Sequence, residues 1–197
     1  MTPRDFAILA QEAYTASPDI GKADSASRAI VRQTAAGLVV AFPGTDNAAG
    51  FVADLDAIPM AVAGAGDVHR GFWLAWQAIS VDVLAAINGR PVTLVGHSLG
   101  AAMAIMAAVE MMISGIRPTA VYGFEPPRVS PGCSVRALLS PVPMWLYRNG
   151  GDLVPNLPIG WKHPGALEFI GTPALPNLED HRIAQVIFAL QAHATSP

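Results

Sequence analysis

The amino-acid sequence predicts an α/β fold with a mostly parallel central sheet flanked by helices. Short apolar runs of strand length alternate along the chain with longer segments that have the apolar spacing of a helix. Parallel neighbours need a crossover connection, usually a helix, so this alternation favours a parallel sheet. No linker-like run and no internal repeat divides the chain. We therefore expect a single domain over residues 1–197.

The first half of the chain supplies two predicted helices and two predicted strands. Apolar residues at helical spacing follow the candidate cap Thr2 and predict a helix from Pro3 to Ala16. The β-rich apolar run Gly37 to Phe42 is closed by a Pro-Gly pair and predicts a buried strand. One amphipathic helix is expected from Gly71 to Asn88, followed by a strand from Pro91 to Val95.

The second half is predicted to be rich in loops, because eleven of the 17 prolines fall between residues 118 and 176. A helix is expected from Leu99 to Met112, and the last helix from Asp180 to Ala192. Three strand-like runs lie between these helices: Thr119 to Phe124, Met144 to Arg148 and Leu167 to Ile170.

Composition excludes several classes of protein. Twelve Lys and Arg against fifteen Asp and Glu give a net charge of −3 without a basic run, so no nucleic-acid partner is expected. The chain is 52% hydrophobic and 14% charged, but His97, Ser98 and Glu110 interrupt its most apolar stretch, Val92 to Ile116. We therefore expect no transmembrane segment. The N-terminal residues lack the apolar core of a signal peptide, which makes a cytoplasmic protein the default expectation.

A nucleophile motif lies between a predicted strand and a predicted helix. The run Gly96-His97-Ser98-Leu99-Gly100 has the G-x-S-x-G pattern in the strand–turn–helix context that this motif requires. Glycines beside Ser98 suit a sharp turn, and the following helix directs its positive end toward an anion that forms nearby. Glycine-flanked serines also occur in plain turns and phosphate loops, but the context favours Ser98 as a nucleophile. His97 should point away from it, toward the core or the surface.

A serine hydroxyl needs a base, and the base needs an acid that fixes its tautomer. His181 stands just before the last predicted helix, where the α/β-hydrolase order Ser, acid, His places the base. Asp152 follows a predicted strand and would lie at the same sheet edge as Ser98, so it is the preferred acid. Two alternatives remain: Asp180, which is more easily interpreted as a cap of the last helix, and Glu125, which also follows a strand.

Acyl transfer also requires donors for the tetrahedral oxyanion, each typically worth about 3 kcal/mol. The backbone N–H of Leu99, directly after the nucleophile, is one candidate. The loop Phe42-Pro43-Gly44-Thr45-Asp46 follows an earlier strand, and Thr45 could offer both its N–H and its hydroxyl. The alternative interpretation of this loop is a plain Pro-Gly turn.

These motifs, in this order, make the sequence resemble the class 3 lipases, also called fungal-type triacylglycerol lipases, from about Gly37 to Leu190. The similar segments are the family's oxyanion loop (40–45), the helix after it (51–55), a framework motif (68–72), the nucleophile elbow (96–102), the Pro-Arg-Val loop (124–129), the acid loop (151–155) and the terminal histidine motif (180–181). The sequence departs from the family at Pro43, Phe51 and Glu125, where a basic residue, tryptophan and glycine are common.

The resemblance implies a reduced-size α/β-hydrolase-type domain and a serine carboxylic-ester hydrolase that cleaves lipid or other acyl esters. It implies the triad Ser98, His181 and Asp152, with Thr45 and Leu99 around the oxyanion. Related acyl hydrolases of phospholipid, polyester or cell-envelope lipid are an alternative, as is a catalytically silent binding module. No metal or other cofactor is expected, since no H-E-x-x-H motif or Cys/His cluster occurs.

The resemblance also implies a short lid over residues 47–66, which would open during transient contact with a lipid surface. This segment is apolar apart from Asp54 and Asp56, and could instead pack as core. Four apolar residues are expected to line the substrate site: Phe51, Leu55, Leu153 and Leu157.

Overall fold

The computed structural model describes residues 1–45 and 47–194, and within them helices and strands alternate along the chain. The α-helices are Pro3–Thr15 (α1), Ala48–Asp54 (α2), Arg70–Gln77 (α3), Ser80–Ile87 (α4), Leu99–Ile113 (α5), Ser134–Leu139 (α6) and Ile183–Ala194 (α7). The strands are Ile20–Gly21 (β1), Arg28–Thr34 (β2), Gly37–Phe42 (β3), Pro59–Val62 (β4), Gly66–His69 (β5), Val92–His97 (β6), Ala120–Phe124 (β7), Met144–Asn149 (β8) and Leu167–Ile170 (β9). A short 3₁₀ turn, Val154–Asn156, follows β8.

Seven of the described strands form one sheet in the order β1-β2-β3-β6-β7-β8-β9. The first three pair antiparallel, whereas the pairs β3–β6, β6–β7, β7–β8 and β8–β9 are all parallel. The predicted mostly parallel central sheet is therefore confirmed. Because the carboxyl ends of parallel strands meet at one edge, the loops after β3, β6, β7 and β8 are brought together there.

Helices cover both faces of the sheet and create two apolar clusters. Alternate side chains of β3 point to opposite faces of the sheet and enter different clusters. Val40 and Phe42 pack toward α3–α6, and Val39 and Ala41 pack toward α1 and α7. Helix α5 is buried almost all round, with twelve of its 15 residues buried. This helix begins directly after Ser98, so the best-packed part of the core holds that residue in place.

The single helix predicted from Gly71 to Asn88 is wrong in one respect, because the structure divides it into α3 and α4. Ile79 adopts φ −131° and ψ 1° between them, and its N–H donates to the carbonyl of Trp76, three residues back. Both halves bury their apolar residues in the same cluster. The apolar spacing therefore continues across the break, so the sequence pattern does not predict the break.

Several elements were not predicted. The antiparallel strand β2 is apolar only in its first half, and Arg32 on it forms ion pairs with Glu12 and Asp19. The last helix begins at Ile183, not at Asp180. Among the described residues, no helix combines the length and the apolar character that crossing a bilayer requires.

The segment predicted as a lid has two different parts. Residues 48–54 form α2, none of whose residues is fully buried. Residues 59–69 form the β4–β5 hairpin, which is attached to the rest of the molecule: the N–H of His69 donates to Val129, and the hydroxyl of Ser130 to the carbonyl of Asp67. The hairpin is thus part of the framework, and α2 is the less embedded part.

Candidate active site

Ser98 occupies a tight turn between β6 and α5. Its backbone lies at φ 56° and ψ −125°, a conformation that costs roughly 1 kcal/mol or more for a residue with a side chain. A Cβ on Gly96 would overlap the backbone of Gly100, and a Cβ on Gly100 would overlap the backbone carbonyls of Phe42 and Pro43. The two glycines are therefore needed because the elbow packs directly against its own helix and against the loop after β3.

The structure brings Ser98, His181 and Asp152 together, as the sequence predicts. Ser98 Oγ lies 2.9 Å from His181 Nε2, and His181 Nδ1 lies 2.7 Å from Asp152 Oδ2. All three side chains are buried. Since the carboxylate can only accept, Nδ1 carries the proton of a neutral His181, and Nε2 is left as an acceptor for the serine hydroxyl.

Asp152 is fixed by the loop after β8. Its second oxygen, Oδ1, accepts from the N–H of Val154 at 3.0 Å. Burial alone would raise the pKa of Asp152, but hydrogen bonds with Glu125 and His181 outweigh burial and lower its pKa. The side chain thus remains a carboxylate, the form that can stabilise a histidine cation.

Of the two alternative acids, Asp180 has a different position from the one predicted. It does not cap the last helix: its Oδ2 accepts from the N–H of Gly151 at 2.9 Å and from Asn177 Nδ2 at 2.8 Å. Its carbonyl accepts from Asn149 Nδ2. Asp180, the residue before His181, therefore connects the segment that carries His181 to the acid loop by hydrogen bonds.

Glu125, the other alternative, lies at the same buried edge of the sheet. It is fully buried, and its Oε1 accepts from the N–H of Asn149 at 2.6 Å. The carboxylate that contacts His181 is that of Asp152, so Glu125 adjoins the three-residue chain without replacing a member of it.

Two residues that support His181 were missed by sequence reasoning. His97, inside the motif, does point away from Ser98, and its Nε2 donates to the carbonyl of His181 at 2.7 Å. The hydroxyl of Tyr14, on α1, lies 2.6 Å from His97 Nδ1. Burial lowers the pKa of His97 to about 3, which keeps the ring neutral and fits this donor–acceptor arrangement. The residues are more than 80 positions apart, so no local pattern could reveal the contact.

The loop after β3 packs against the elbow and so places Thr45 beside it. A Cβ on Gly44 would lie 2.9 Å from the Cβ of Ser98. The hydroxyl of Thr45 donates to the carbonyl of Asn47 at 3.5 Å, and Asp46, the last residue of the predicted loop, lies outside the described residues. Thr45 and Leu99 both line the groove described next.

An apolar groove of about 460 Å³ runs from the elbow along α2. Its wall includes Phe51 and Leu55, as predicted, together with Phe72, whose ring stacks on Phe51 with centroids 6.3 Å apart. Two carboxylate residues, Asp54 and Asp56, also line it. Leu99, which follows Ser98 directly, lines the groove, so the groove lies next to the buried serine.

Leu153 and Leu157 do not line this groove. Leu153 follows Asp152 directly, and its N–H donates to the carbonyl of Asn177. The carbonyl of Leu157 accepts from the N–H of Arg128 at 2.6 Å. Leu153 is part of the acid loop and Leu157 follows it, and the contact of either residue with a substrate stays a prediction.

One cluster of potential metal ligands occurs among the described residues: Glu125, Asp152 and His181, with ligand atoms within 4.8 Å of one another. Both ring nitrogens of His181 are already engaged, one by Asp152 and the other by Ser98. The nitrogen atoms that His181 could offer to a metal ion are therefore used for hydrogen bonds within the protein.

Comparison with known proteins gives a family match over most of the core. The model of the family "Lipase (class 3)" matches residues 39–161. The secreted mono- and diacylglycerol lipase A of Penicillium cyclopium is 25% identical over 162 residues, which is 76% of this chain and 53% of that protein. Lipase A of Sodiomyces alcalophilus is 43% identical over 70 residues, 32% of this chain and 17% of that protein. The chain thus has the extent of about half of the Penicillium relative.

Solved structures show the same fold. A Rhizomucor miehei triacylglyceride lipase superposes with a TM-score of 0.71 at 20% identity, over 86% of this chain and 78% of the other. A lipase from Rhizopus microsporus var. chinensis gives a TM-score of 0.68 at 22% identity, over 85% and 72%. The fold is accordingly the α/β-hydrolase fold, with a mostly parallel central sheet flanked by helices. From the match to the family model, this chain belongs to the class 3 lipase family.

Proposed function

We propose that this protein is a serine carboxylic-ester hydrolase that cleaves lipid or other acyl esters. The observation that carries the proposal is the buried, hydrogen-bonded chain from Ser98 Oγ through His181 to Asp152. An apolar groove lies beside it, lined in part by Leu99, the residue after Ser98. Family membership supports it, since the Penicillium relative is a mono- and diacylglycerol lipase. A structurally similar triacylglycerol lipase has a serine protease triad as its catalytic centre.

The first half of the proposed reaction forms an acyl-enzyme. Ser98 Oγ attacks the ester carbonyl carbon while its proton passes to His181 Nε2, and the carbonyl oxygen becomes an oxyanion. The N–H of Leu99 and the N–H and hydroxyl of Thr45 donate to this oxyanion. When the intermediate collapses, the C–O bond to the alcohol breaks and His181 gives its proton to the leaving oxygen.

The second half releases the acid. Water attacks the carbonyl of the acyl group on Ser98 and gives a proton to the same ring nitrogen, and collapse returns the proton to the serine oxygen. Asp152 holds the tautomer with the proton on Nδ1 and stabilises the cation that forms in both halves. No step requires a metal or an organic cofactor.

The groove favours an apolar acyl chain as the substrate part that enters it. Phe51, Leu55 and Phe72 provide apolar wall, and burying methylene groups against it contributes about 0.8 kcal/mol for each fully buried group. Asp54 and Asp56 add negative charge to the same groove and would repel an anionic group. Neutral esters are therefore the preferred substrate class over anionic phospholipids.

We propose α2 and the residues flanking it as the lid, a shorter segment than residues 47–66. Phe51 on this helix and Leu55 directly after it line the groove, no residue of the helix is fully buried, and it is only seven residues long. The adjoining β4–β5 hairpin is hydrogen-bonded to the framework. Displacement of α2 would expose Phe51 and Leu55 to a lipid surface and open the groove above the buried serine.

A chain-length series of chromogenic esters tests the function. Wild type should hydrolyse the series with a preference for apolar acyl groups, and Ser98→Ala should lose at least about 10³-fold in kcat. Equal turnover by the two proteins, or none by wild type, would contradict the proposal. A rise in rate at the substrate concentration where lipid aggregates form would support the lid, whereas a smooth saturation curve would speak against it.

A further inference from the structure

The carboxyl group of Glu125 is buried beside the triad and has no part in the proposed reaction. Glu125 follows β7 with its backbone at φ 52°, a left-handed conformation that costs roughly 1 kcal/mol for a residue with a side chain. Its side chain and that of Asp152 are both fully inaccessible to solvent. Two acidic side chains in one dry site require an explanation, because burying an unpaired charge is strongly unfavourable.

The hydrogen bonds of Glu125 indicate where a proton must be. Oε1 accepts from the N–H of Asn149, whereas the buried Oε2 meets no donor among the described residues. One carboxylate oxygen of Glu125 and one of Asp152 belong to a cluster whose ligand atoms lie within 4.8 Å of one another. Two carboxylates facing each other would repel and leave Oε2 unsatisfied. A proton on Oε2 removes the repulsion and supplies the missing donor.

The electrostatics of the site favour this distribution of charge. Burial raises the pKa of Glu125 well above its usual range, and a hydrogen bond with Asp152 and the negative charge of Asp152 raise it further. The hydrogen bond from the backbone of Asn149 and the positive charge of Arg148 have smaller, opposing effects. The hydrogen bonds with Glu125 and His181 lower the pKa of Asp152 despite its burial. Asp152 and Arg148 affect the pKa of Glu125, and the ring of His181 lies in the same buried cluster. The proton of Glu125 and the charge of Asp152 are therefore mutually dependent.

We propose that Glu125 is a positioning residue: a carboxylic acid that keeps its proton and donates it in a hydrogen bond from Oε2 to Asp152. Together with the N–H of Val154 and the ring of His181, it fixes the Asp152 carboxylate on three sides. Glu125 is not among the residues that line the groove, and in this proposal it acts on His181 through Asp152. Its catalytic consequence rests on the proposed function, but its protonation does not.

The protonation has a measurable consequence for folding. An unfolded glutamate loses its proton near pH 4.3, so at neutral pH the chain takes up one proton at Glu125 when it folds. The contribution of Glu125 to stability is therefore greatest below the unfolded pKa and falls as the pH rises toward the folded pKa. Between these two pKa values, this group alone increases the equilibrium constant for unfolding about tenfold for each unit that the pH rises. Glu125→Gln keeps the shape, the acceptor and a donor but cannot titrate.

Denaturant unfolding of wild type and Glu125→Gln between pH 5 and 7 tests whether folded Glu125 keeps its proton up to neutral pH. We expect the ratio of the two unfolding constants to change about tenfold per pH unit, with wild type becoming relatively less stable as the pH rises. Glu179→Gln is the matched control, because Glu179 is exposed and pairs with Arg182 on the surface. Its ratio to wild type should stay flat. A flat ratio for Glu125→Gln would show an ionised Glu125 in the folded protein and overturn the proposal.

Ester hydrolysis tests the positioning role, with Glu125→Met as the variant that has similar length and no donor. We expect kcat to fall at least about tenfold in Glu125→Met with little change in KM, and Glu125→Gln to recover most of that loss. Equal rates in the two variants would overturn the positioning role, as would a loss confined to KM. If wild type hydrolyses no ester, the proposed function fails, while the unfolding experiment still decides where the proton is.

Discussion

Replacing Asp152 by asparagine tests the acid of the triad at almost constant shape. Oδ1 of Asp152 accepts from the N–H of Val154, and Oδ2 faces His181 Nδ1. An asparagine has only one acceptor oxygen. If that oxygen keeps the Val154 bond, the NH₂ group faces Nδ1 and requires the tautomer with the proton on Nε2.

That tautomer presents a proton to Ser98 where an acceptor is needed, so the serine cannot be deprotonated. The expected loss is about 10⁴-fold in kcat, equal to about 5 kcal/mol of activation free energy. If the amide turns the other way, two donors face each other at Val154, and a buried hydrogen bond worth about 1 kcal/mol is lost. Stability should therefore change little compared with the loss of rate.

The assay is single-substrate ester hydrolysis with wild type, Asp152→Asn and Asp180→Asn. Asp180→Asn is the matched control because Asp180 contacts the backbone of Gly151 but not the ring of His181. We expect it to lose less than about tenfold, through a looser acid loop. Retention of more than a tenth of the wild-type rate by Asp152→Asn would refute the assignment. A complete loss in Asp180→Asn with an active Asp152→Asn would reverse it.

Three further predictions concern the surroundings of the triad. Tyr14→Phe removes the hydroxyl beside His97 and should lower kcat about three- to tenfold at a stability loss of about 1 kcal/mol, measured by ester hydrolysis and denaturant unfolding. Gly100→Ala forces a Cβ against the carbonyls of Phe42 and Pro43 and should destabilise the fold by about 3 kcal/mol; an unchanged unfolding midpoint would contradict the packing described. Burial lowers the pKa of His163 to about 4, so the unfolded chain binds a proton below about pH 6.5 that the folded chain excludes. Between pH 6.5 and 5, the free energy of unfolding of wild type should then fall by about 2 kcal/mol more than that of His163→Gln. An equal fall in both proteins would contradict the lowered pKa of His163.

The sequence predicted the parallel strands and predicted that the candidate catalytic residues lie at the carboxyl ends of these strands. Apolar runs bounded by proline and glycine marked β3 and β6 correctly, because strands buried on both faces leave a continuous apolar pattern. Ser98, Asp152 and His181 could be selected because parallel topology brings the loops after such strands to one edge. The division of α3 from α4 could not be predicted, since both helices face one core.

Contacts between distant segments were beyond the reach of sequence patterns. His97 was expected in the core or at the surface, and only the fold shows that it supports the backbone of His181. The position of Asp180 before a helix favours a helix cap, but in the folded protein its Oδ2 accepts from the N–H of Gly151 instead. Glu125 was recognised as a candidate acid from its position after a strand. Its pairing with Asp152 depends on two loops that meet only in the folded protein.

Covalent labelling of the serine is the most direct test of the central claim, that Ser98 is a nucleophile activated by His181. Wild type, Ser98→Ala and His181→Gln are treated with an organophosphonate ester, and the adduct is detected by intact mass and located by peptide mapping. The account predicts one adduct per wild-type chain, on Ser98, with none on Ser98→Ala and a much slower reaction in His181→Gln. An adduct on another residue, or an unmodified wild-type protein, would contradict it.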